Sequence, residues 1–107
     1  MDRKKPVIKE IERFYRDISL KMPLQKMIFF GSRAKGKANK DSDIDLLLVS
    51  SKFKGVRPLS RSPELYLKWD SDYAVDLICL TPKEFNQQKK ELGVVQEAIK
   101  EGIEIRC

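Results

Sequence analysis

The chain has 107 residues and a mass of 12.5 kDa, enough for one hydrophobic core and too little for two, so we expect one domain spanning residues 1–107. Apolar residues make up 41% of the sequence and charged residues 36%, which is typical of a globular protein with a heavily charged surface and argues against disorder. Lysine and arginine outnumber aspartate and glutamate by 22 to 16, for a net charge of +6. This charge favours anionic partners such as nucleotides, RNA or an acidic protein surface, although a solvated lysine-rich surface explains it equally well.

Several classes of protein are excluded by what the sequence lacks. It contains no histidine, which excludes Ser-His and Cys-His nucleophilic catalysis and histidine-ligated zinc and leaves carboxylates as the candidate catalytic groups. Cys79 lies in an apolar run and Cys107 is the last residue, so neither spacing indicates a metal site or a structural disulfide. No apolar stretch approaches the ~18 residues needed to span a bilayer, and no signal-peptide core follows the basic N-terminus. We therefore expect no membrane association and a cytoplasmic location.

Hydrophobic periodicity predicts an α/β fold: a small mixed β-sheet of three to four strands with helices packed mainly on one face. Three- and four-residue spacing predicts an amphipathic N-terminal helix, and a capping box at Thr81 and Glu84 predicts the start of a later helix. In chain order the predicted elements are a helix over 6–20, a strand over 27–30, a helical turn opening 33–40, a strand over 44–50, a mobile basic loop over 51–63, a helix over 65–69, a strand over 73–80, helices over 81–92 and 94–101, and a short edge strand over 103–105.

Two aspartates separated by one apolar residue, Asp43 and Asp45, open the predicted strand over 44–50. Because side chains alternate between the two faces of a strand, both carboxylates point the same way while Ile44 points into the core. Two adjacent carboxylates repel each other unless a cation lies between them. A hard divalent ion such as Mg²⁺ takes oxygen ligands and keeps room for substrate phosphates. The pair therefore predicts a metal site, whereas Asp41 is interpreted as a loop residue.

A third carboxylate is expected from a neighbouring strand. Asp76 is the one acid inside the predicted strand over 73–80, in an apolar context where a buried unpaired charge would be costly. Three carboxylates can hold two metal ions ~3.5–4 Å apart, which is what an in-line attack on a nucleotide α-phosphate needs. The alternative for Asp76 is a half-exposed strand acid paired with a lysine, and Asp70 and Asp72 are interpreted as turn residues.

A glycine-serine pair, Gly31 and Ser32, follows the first predicted strand. Glycine lets the backbone approach a polyphosphate closely, and the serine offers a hydroxyl and an amide at a helix N-terminus, where anions are favoured. Arg33 and Lys35 could neutralise a triphosphate, but solvated basic residues on an exposed loop are an equally good interpretation. The aromatic residues Tyr66 and Trp69 are interpreted as core rather than as a platform for stacking a base.

These motifs resemble the signature of the polymerase-β-type nucleotidyltransferase superfamily: Gly31-Ser32, a ten-residue spacer, Asp43-Ile44-Asp45-Leu46 and the later strand residue Asp76. The fuller string Gly-Ser-Arg-Ala-Lys-Gly, followed by Ser-Asp-Ile-Asp-Leu, is similar to its smallest branch, the minimal nucleotidyltransferases. The family most often has arginine where this chain has Lys35, a change that keeps the charge.

The resemblance implies an activity and a role for each matching residue. Gly31 and Ser32 would bind the β- and γ-phosphates of ATP or another nucleoside triphosphate. Asp43, Asp45 and Asp76 would hold two Mg²⁺ ions, with Mn²⁺ as a substitute, and Asp76 could act as general base toward an acceptor hydroxyl. The family is commonly encoded beside a helical partner of the HEPN type, and it can transfer AMP from ATP to a tyrosine of that partner in toxin-antitoxin pairs.

Three functional hypotheses remain open at this point. The first is a metal-dependent nucleotidyltransferase that moves AMP onto a hydroxyl of a protein partner. The second is an antitoxin-like binding module that neutralises a helical partner by complex formation, and the third is a protein that binds or modifies nucleic acid, as the +6 charge suggests. Under the first, we expect the acceptor to dock over the carboxylates, with the basic loop from Lys52 to Arg61 as a contact. A homo- or hetero-oligomer is compatible with all three.

Overall fold

The computed structural model of the protein describes residues 4–36 and 42–106. Asp41, Cys107 and the second half of the predicted turn over 33–40 lie outside the described residues. The helices are α1 (Lys4–Ser19), α2 (Pro63–Lys68), α3 (Pro82–Gln88) and α4 (Val94–Glu101), and the strands are β1 (Lys26–Phe30), β2 (Ile44–Val49), β3 (Val75–Leu80) and β4 (Ile103–Glu104). Within these ranges, every helix is too short or too polar to cross a membrane.

The four strands form one mixed sheet in the order β3-β2-β1-β4. β1 is antiparallel to both β2 and β4, whereas β2 and β3 are parallel. The start of β2 therefore lies beside the start of β3 and the end of β1. The α/β class and the mixed sheet of up to four strands are confirmed.

The first face of the sheet is covered by α1 and α2. The buried residues of α1 recur every three or four positions, so one stripe of the helix faces the sheet. Trp69, at the end of α2, packs edge-on against Phe14 of α1 with ring centroids 5.2 Å apart, and its indole N–H donates to the Tyr73 carbonyl at 2.7 Å. The interpretation of Trp69 as a core residue is thus confirmed.

The second face is covered by α3 and α4, through a core of Phe85, Val95 and Ala98 packed on Leu47 and Val49 of β2. The expectation that helices would pack mainly on one face therefore needs correction in this detail. β2 lies between two neighbouring strands and is apolar on both faces, so both faces must be covered to remove its side chains from water. Each face carries two of the described helices.

The segment over 51–63 was expected to be a mobile basic loop, but it contains two 3-10 helices, Ser51–Phe53 and Pro58–Ser60. Arg61 within it is only 8% exposed. Its guanidinium donates to the carbonyls of Val56 and Cys79 at 2.8 and 3.0 Å and to both carboxylate oxygens of Glu84 at 2.6 and 3.2 Å. This basic residue fastens the segment to the sheet and to α3 and is not a surface contact.

Candidate functional site

The three predicted carboxylates lie at one end of the sheet. Asp45 of β2 is the direct partner of Asp76 across the parallel β2–β3 ladder, and Asp43 comes two residues earlier, immediately before β2. In-register partners on adjacent strands point to the same face. That face is the one covered by α4, because Leu47 and Val49 continue the alternation of Asp45 along β2.

The burial of these acids differs from the expectation in one respect. Asp45 is partly buried, whereas Asp43 and Asp76 are exposed, so the interpretation of Asp76 as a buried acid is wrong. β3 is an edge strand, and the beginning of an edge strand is open to water on its free side. The exposure leaves two carboxylates accessible to a ligand in solution, with the partly buried Asp45 between them.

The electrostatic environment of Asp45 shows how crowded this end of the sheet is. Burial raises the pKa of the Asp45 carboxyl above its ordinary value, and the negative charges of Asp76, Asp43 and Glu97 raise it further. Glu97 lies on α4 and was not singled out from the sequence. Three neighbouring acids therefore act on Asp45, and a cation beside its carboxylate would relieve this repulsion.

The turn after β1 brings Gly31 directly against Asp45. Gly31 has φ +85°, and a Cβ at this position would overlap the Asp45 carboxylate. The register explains the contact, because Phe30, the last residue of β1, is the partner of Asp45 on β2. The Lys35 amide donates to the Gly31 carbonyl at 3.1 Å, so the chain makes one helical turn here, as predicted. Both the conformation and the space at this position require glycine.

Arg33 and Ser32 occupy different environments in this turn. Ser32 is exposed, and its hydroxyl is accessible to a ligand. Arg33 donates from Nε to the Ser42 carbonyl at 2.6 Å, and its guanidinium lies over the Tyr73 ring, 5.0 Å from the centroid. Arg33 thus links the turn to the residue before Asp43, and any contact with a phosphate would have to be added to these interactions.

Lys35 is engaged within the protein. Its ammonium forms ion pairs with Glu101 at 2.6 Å and with Glu97 at 3.8 Å. The bond to Glu101 is the main reason that the pKa of Lys35 is raised above its ordinary value. Lys35 therefore fastens the turn to α4, and it partly offsets the negative charge of Glu97 next to the carboxylates.

Tyr66 of α2 was interpreted as a core residue, but that interpretation is wrong, because Tyr66 is 40% exposed and its hydroxyl lies at the candidate site. Its hydroxyl oxygen accepts a hydrogen bond from the Leu77 amide at 3.0 Å and donates a longer one to Asp76 Oδ1 at 3.4 Å. Since the oxygen already accepts from Leu77, the hydroxyl hydrogen is directed at the carboxylate. No local pattern in the sequence indicated this contact, because it joins a six-residue helix to a strand that follows a connecting loop.

The donor set fits a hard divalent cation, because it consists of carboxylate oxygens and contains neither histidine nor cysteine. Within residues 4–36 and 42–106, no three acidic, histidine or cysteine side chains already stand close enough together to hold a metal ion. Metal binding would therefore require Asp43, Asp45 and Asp76 to turn toward a common point. The exposure of Asp43 and Asp76 leaves them room to do so.

Comparisons with known proteins agree with this geometry. A family model described as "Nucleotidyltransferase domain" matches residues 8–106. A search of curated proteins finds no match. Among solved structures, a "putative nucleotidyltransferase from Sulfolobus solfataricus" is similar with a TM-score of 0.69 at 22% identity, over 94% of this chain and 80% of that one. A "toxin-antitoxin with AMP-PNP" is similar with a TM-score of 0.59 at 25% identity, over 91% of this chain and 70% of that one.

Proposed function

Because the chain belongs to the nucleotidyltransferase domain family, we propose that it is a metal-dependent enzyme of the minimal nucleotidyltransferase type that transfers AMP from ATP to a hydroxyl group. The observation that carries this proposal is the β2–β3 register, which sets Asp45 opposite Asp76. Asp43 stands two residues before Asp45. Gly31, at the end of the neighbouring strand β1, approaches the Asp45 carboxylate. Three acids and a close-approach glycine at one end of the sheet are the parts that nucleotidyl transfer needs.

Each residue has a separate task in this proposal. Asp43, Asp45 and Asp76 would hold two Mg²⁺ ions, or Mn²⁺ in their place, and the ions when bound would offset the charge on the entering and leaving oxygens. The turn at Gly31 and Ser32 would receive the β- and γ-phosphates, since glycine leaves the backbone accessible and Ser32 presents an exposed hydroxyl. Arg33, at the same turn, would add positive charge near the triphosphate.

The reaction would proceed by in-line displacement at the α-phosphorus. The acceptor oxygen forms a bond to the α-phosphorus, the bond from that phosphorus to the β-phosphate oxygen breaks, and pyrophosphate leaves. Asp76 would accept the acceptor's proton, and its exposure at the edge of the sheet, where an acceptor can reach it, supports this role. Tyr66 would hold its carboxylate in position.

For the acceptor, we propose a tyrosine of a helical partner of the HEPN type, in an antitoxin-like role. Support comes from the similar structure described as a toxin-antitoxin with AMP-PNP, which pairs a nucleotide analogue with a two-protein system. The same similarity also favours the alternative, in which this chain is a binding module that neutralises its partner by complex formation alone.

The expectation that the basic loop contacts an acceptor bound over the carboxylates needs correction. The segment from Lys52 to Arg61 follows the end of β2, whereas Asp43 and Asp45 stand at its beginning. A six-residue strand separates the two by about 20 Å. An acceptor bound at the carboxylates would instead contact the exposed edge of the sheet at β3.

The test is incubation of the purified protein with α-labelled ATP, Mg²⁺ and the protein encoded by the neighbouring gene. The wild type is compared with Asp43→Asn/Asp45→Asn, which removes two negative charges with little change in shape. A matched control, Asp17→Asn/Glu91→Gln, removes two negative charges at exposed positions outside the site. We expect label on the partner with the wild type and the control, and a loss of at least about 100-fold with the site variant.

Other outcomes would separate the alternatives. A stable complex with no label from any variant would contradict the enzyme proposal and favour the binding module. Label on an RNA oligonucleotide added to the same reaction, with none on the protein, would favour the nucleic-acid hypothesis.

A further inference from the structure

A groove that none of the three aspartates lines is bounded by the C-terminal part of α1, the segment that connects β2 to α2, and α2 itself. Its volume is about 500 Å³. The apolar residues that line it are Ile18, Met22, Phe53, Val56, Leu65 and Leu67. Most of these are buried, so they form a firm floor, whereas Leu67 is 86% exposed at the rim. We refer to this feature as the α1–α2 groove.

More apolar surface lies beside the groove than its lining alone provides. Leu20 is 84% exposed and precedes the lining residue Lys21, and Leu59 is 92% exposed and precedes the lining residue Ser60. Together with Leu67, these make three nearly fully exposed leucines around one concave feature. Large exposed apolar side chains in and next to the lining of one groove are typical of an interaction site.

The rim of the α1–α2 groove is basic. Lys21, Lys52 and Lys68 line it, and Glu64 is the one acid among the described lining residues. Arg61 also lines it, but its charge is already paired with Glu84. Within residues 4–36 and 42–106, none of the three lysines forms an ion pair. The ammonium of Lys52 donates a long hydrogen bond to the Lys21 carbonyl, at 3.5 Å. Positive charge around an apolar floor is complementary to a ligand that is apolar on one side and acidic on its flanks.

The walls of the groove determine what kind of segment fits. They are formed by α1, the two 3-10 helices and α2, and no strand edge among the described residues faces the groove. A bound segment therefore has no ladder of backbone groups to pair with, which disfavours an added β-strand. An amphipathic helix satisfies its own backbone and binds through side chains spaced three, four and seven residues apart.

We infer that the α1–α2 groove binds an acidic amphipathic helix of a partner protein. The helix would lay its apolar face on the floor of the groove and direct its carboxylates to Lys21, Lys52 and Lys68. Met22 precedes β1 and Phe53 follows β2, so this part of the groove lies near the end of the sheet opposite Asp43 and Asp45. The helix α2, which also lines the groove, carries Tyr66 beside Asp76. None of the three aspartates lines the groove, and the inference stands whether or not the proposed activity is found.

The probe is a labelled synthetic peptide of about 15 residues, long enough for several helical turns, with leucines at helical spacing and glutamates on both flanks. Two control peptides replace the glutamates by lysines or the leucines by serines. Binding is measured by fluorescence anisotropy. We expect the acidic peptide to bind at least about tenfold more tightly than either control peptide, since both the charge and the apolar face are needed.

Variants at surface positions then locate the site without disturbing the fold. We expect Lys21→Glu/Lys52→Glu/Lys68→Glu to weaken binding of the acidic peptide by at least about tenfold. The matched control Lys83→Glu/Lys89→Glu/Lys90→Glu changes the net charge equally at exposed lysines outside the groove, and it should weaken binding much less. Leu67→Asp should likewise weaken binding, whereas Leu92→Asp, at a position 94% exposed and outside the groove, should not.

Three results would overturn the inference. One is equal weakening by the groove variants and their matched controls, which would show a general charge effect. Another is binding of the acidic peptide no tighter than that of the control peptides, or no binding at all. The third is self-association of the protein alone that Leu67→Asp abolishes, which would show that the groove is filled by a second copy of the chain.

Discussion

The Asp45 carboxylate fills the space that a side chain on Gly31 would occupy. Gly31 stands just after β1, Asp45 stands in β2, and the antiparallel register brings the two into contact. Gly31 also has a positive φ. Two physical requirements thus coincide at one residue, and variants can separate them.

We expect Gly31→Ala to abolish most of the nucleotidyl transfer, because the new methyl group would displace the Asp45 carboxylate. The positive φ should also cost about 1–2 kcal/mol of stability. Gly55→Ala is a matched control, since Gly55 has φ +79° and its new methyl group would have no other atom within 4 Å. It should show only the loss of stability that the positive φ causes, measured by urea unfolding, while keeping the labelling activity of the wild type. Equal activity of the two variants would contradict a role for the close approach to Asp45.

The raised pKa of Asp45 predicts how the protein responds to a divalent cation. A carboxyl whose pKa is raised on folding binds its proton more tightly in the folded state, so stability falls as the pH rises from 3.8 through the raised value. At neutral pH without divalent cations, Asp45→Asn should therefore raise the urea midpoint. Mg²⁺ should raise the midpoint of the wild type and have little effect on the variant.

The control for this prediction is Asp17→Asn, an exposed change on α1, which should follow the wild type in both EDTA and Mg²⁺. A lower urea midpoint for Asp45→Asn in EDTA would mean that crowding of the acids does not destabilise the fold. An equal Mg²⁺ effect on the wild type and Asp45→Asn would place the cation elsewhere.

Tyr66 is expected to position Asp76. Tyr66→Phe removes the hydroxyl that accepts from the Leu77 amide and donates to Asp76, and it should cost about 0.5–1.5 kcal/mol of stability. If the Tyr66 hydroxyl had only a structural role, the variant would lose this stability and would keep its activity. A positioning role predicts in addition a fall in kcat of about tenfold and a weaker dependence of activity on Mg²⁺, with little change in the KM for ATP.

Tyr15→Phe is the matched control, because Tyr15 lies on α1 and packs against the hydrophobic core, not at the carboxylates. It should leave kcat and the Mg²⁺ dependence unchanged. If Tyr66→Phe lowers stability but gives the wild-type kcat and Mg²⁺ dependence, the hydroxyl serves the fold alone.

Much of the candidate site could be predicted from the sequence, because its parts are encoded locally. Strand alternation predicts that Asp43 and Asp45 lie on one side, and the glycine-serine turn follows directly from the end of a strand. The capping box at Thr81 was confirmed, with both of its hydrogen bonds present. The start and end of α4 were also predicted correctly.

The parts that could not be predicted depend on contacts between distant residues. The exposure of Asp76 follows from the place of β3 at the edge of the sheet, which no local pattern reports. Tyr66 reaches Asp76 only because the connection after β2 folds beside β3. Arg61 looked like one more basic residue of a loop, yet its partner Glu84 lies 23 residues away. A composition rich in basic residues and serine did not distinguish a buried arginine from its exposed neighbours.

Arg61 should therefore matter for stability far more than the other basic residues around it. Arg61→Ala removes the donor to two carbonyls and to Glu84, and leaving such groups unpaired should cost about 2–4 kcal/mol. Arg57→Ala, an exposed change in the same segment, should stay within about 0.5 kcal/mol of the wild type. Urea unfolding at neutral pH measures both, and similar midpoints for the two variants would contradict the role of Arg61.

The same ion pair predicts a response to acid. The hydrogen bonds from Arg61 and from the Thr81 backbone lower the pKa of Glu84 below its ordinary value of 4.5. A carboxyl whose pKa is lowered on folding contributes stability that is fully present above its unfolded pKa and is lost as the pH falls through the folded one. Wild-type stability should thus fall as the pH drops below 4.5.

Glu84→Gln should be less stable than the wild type at neutral pH and lose less on acidification, so that the two unfolding midpoints converge. Parallel pH profiles for the wild type and Glu84→Gln would show that the acid response arises from other carboxylates.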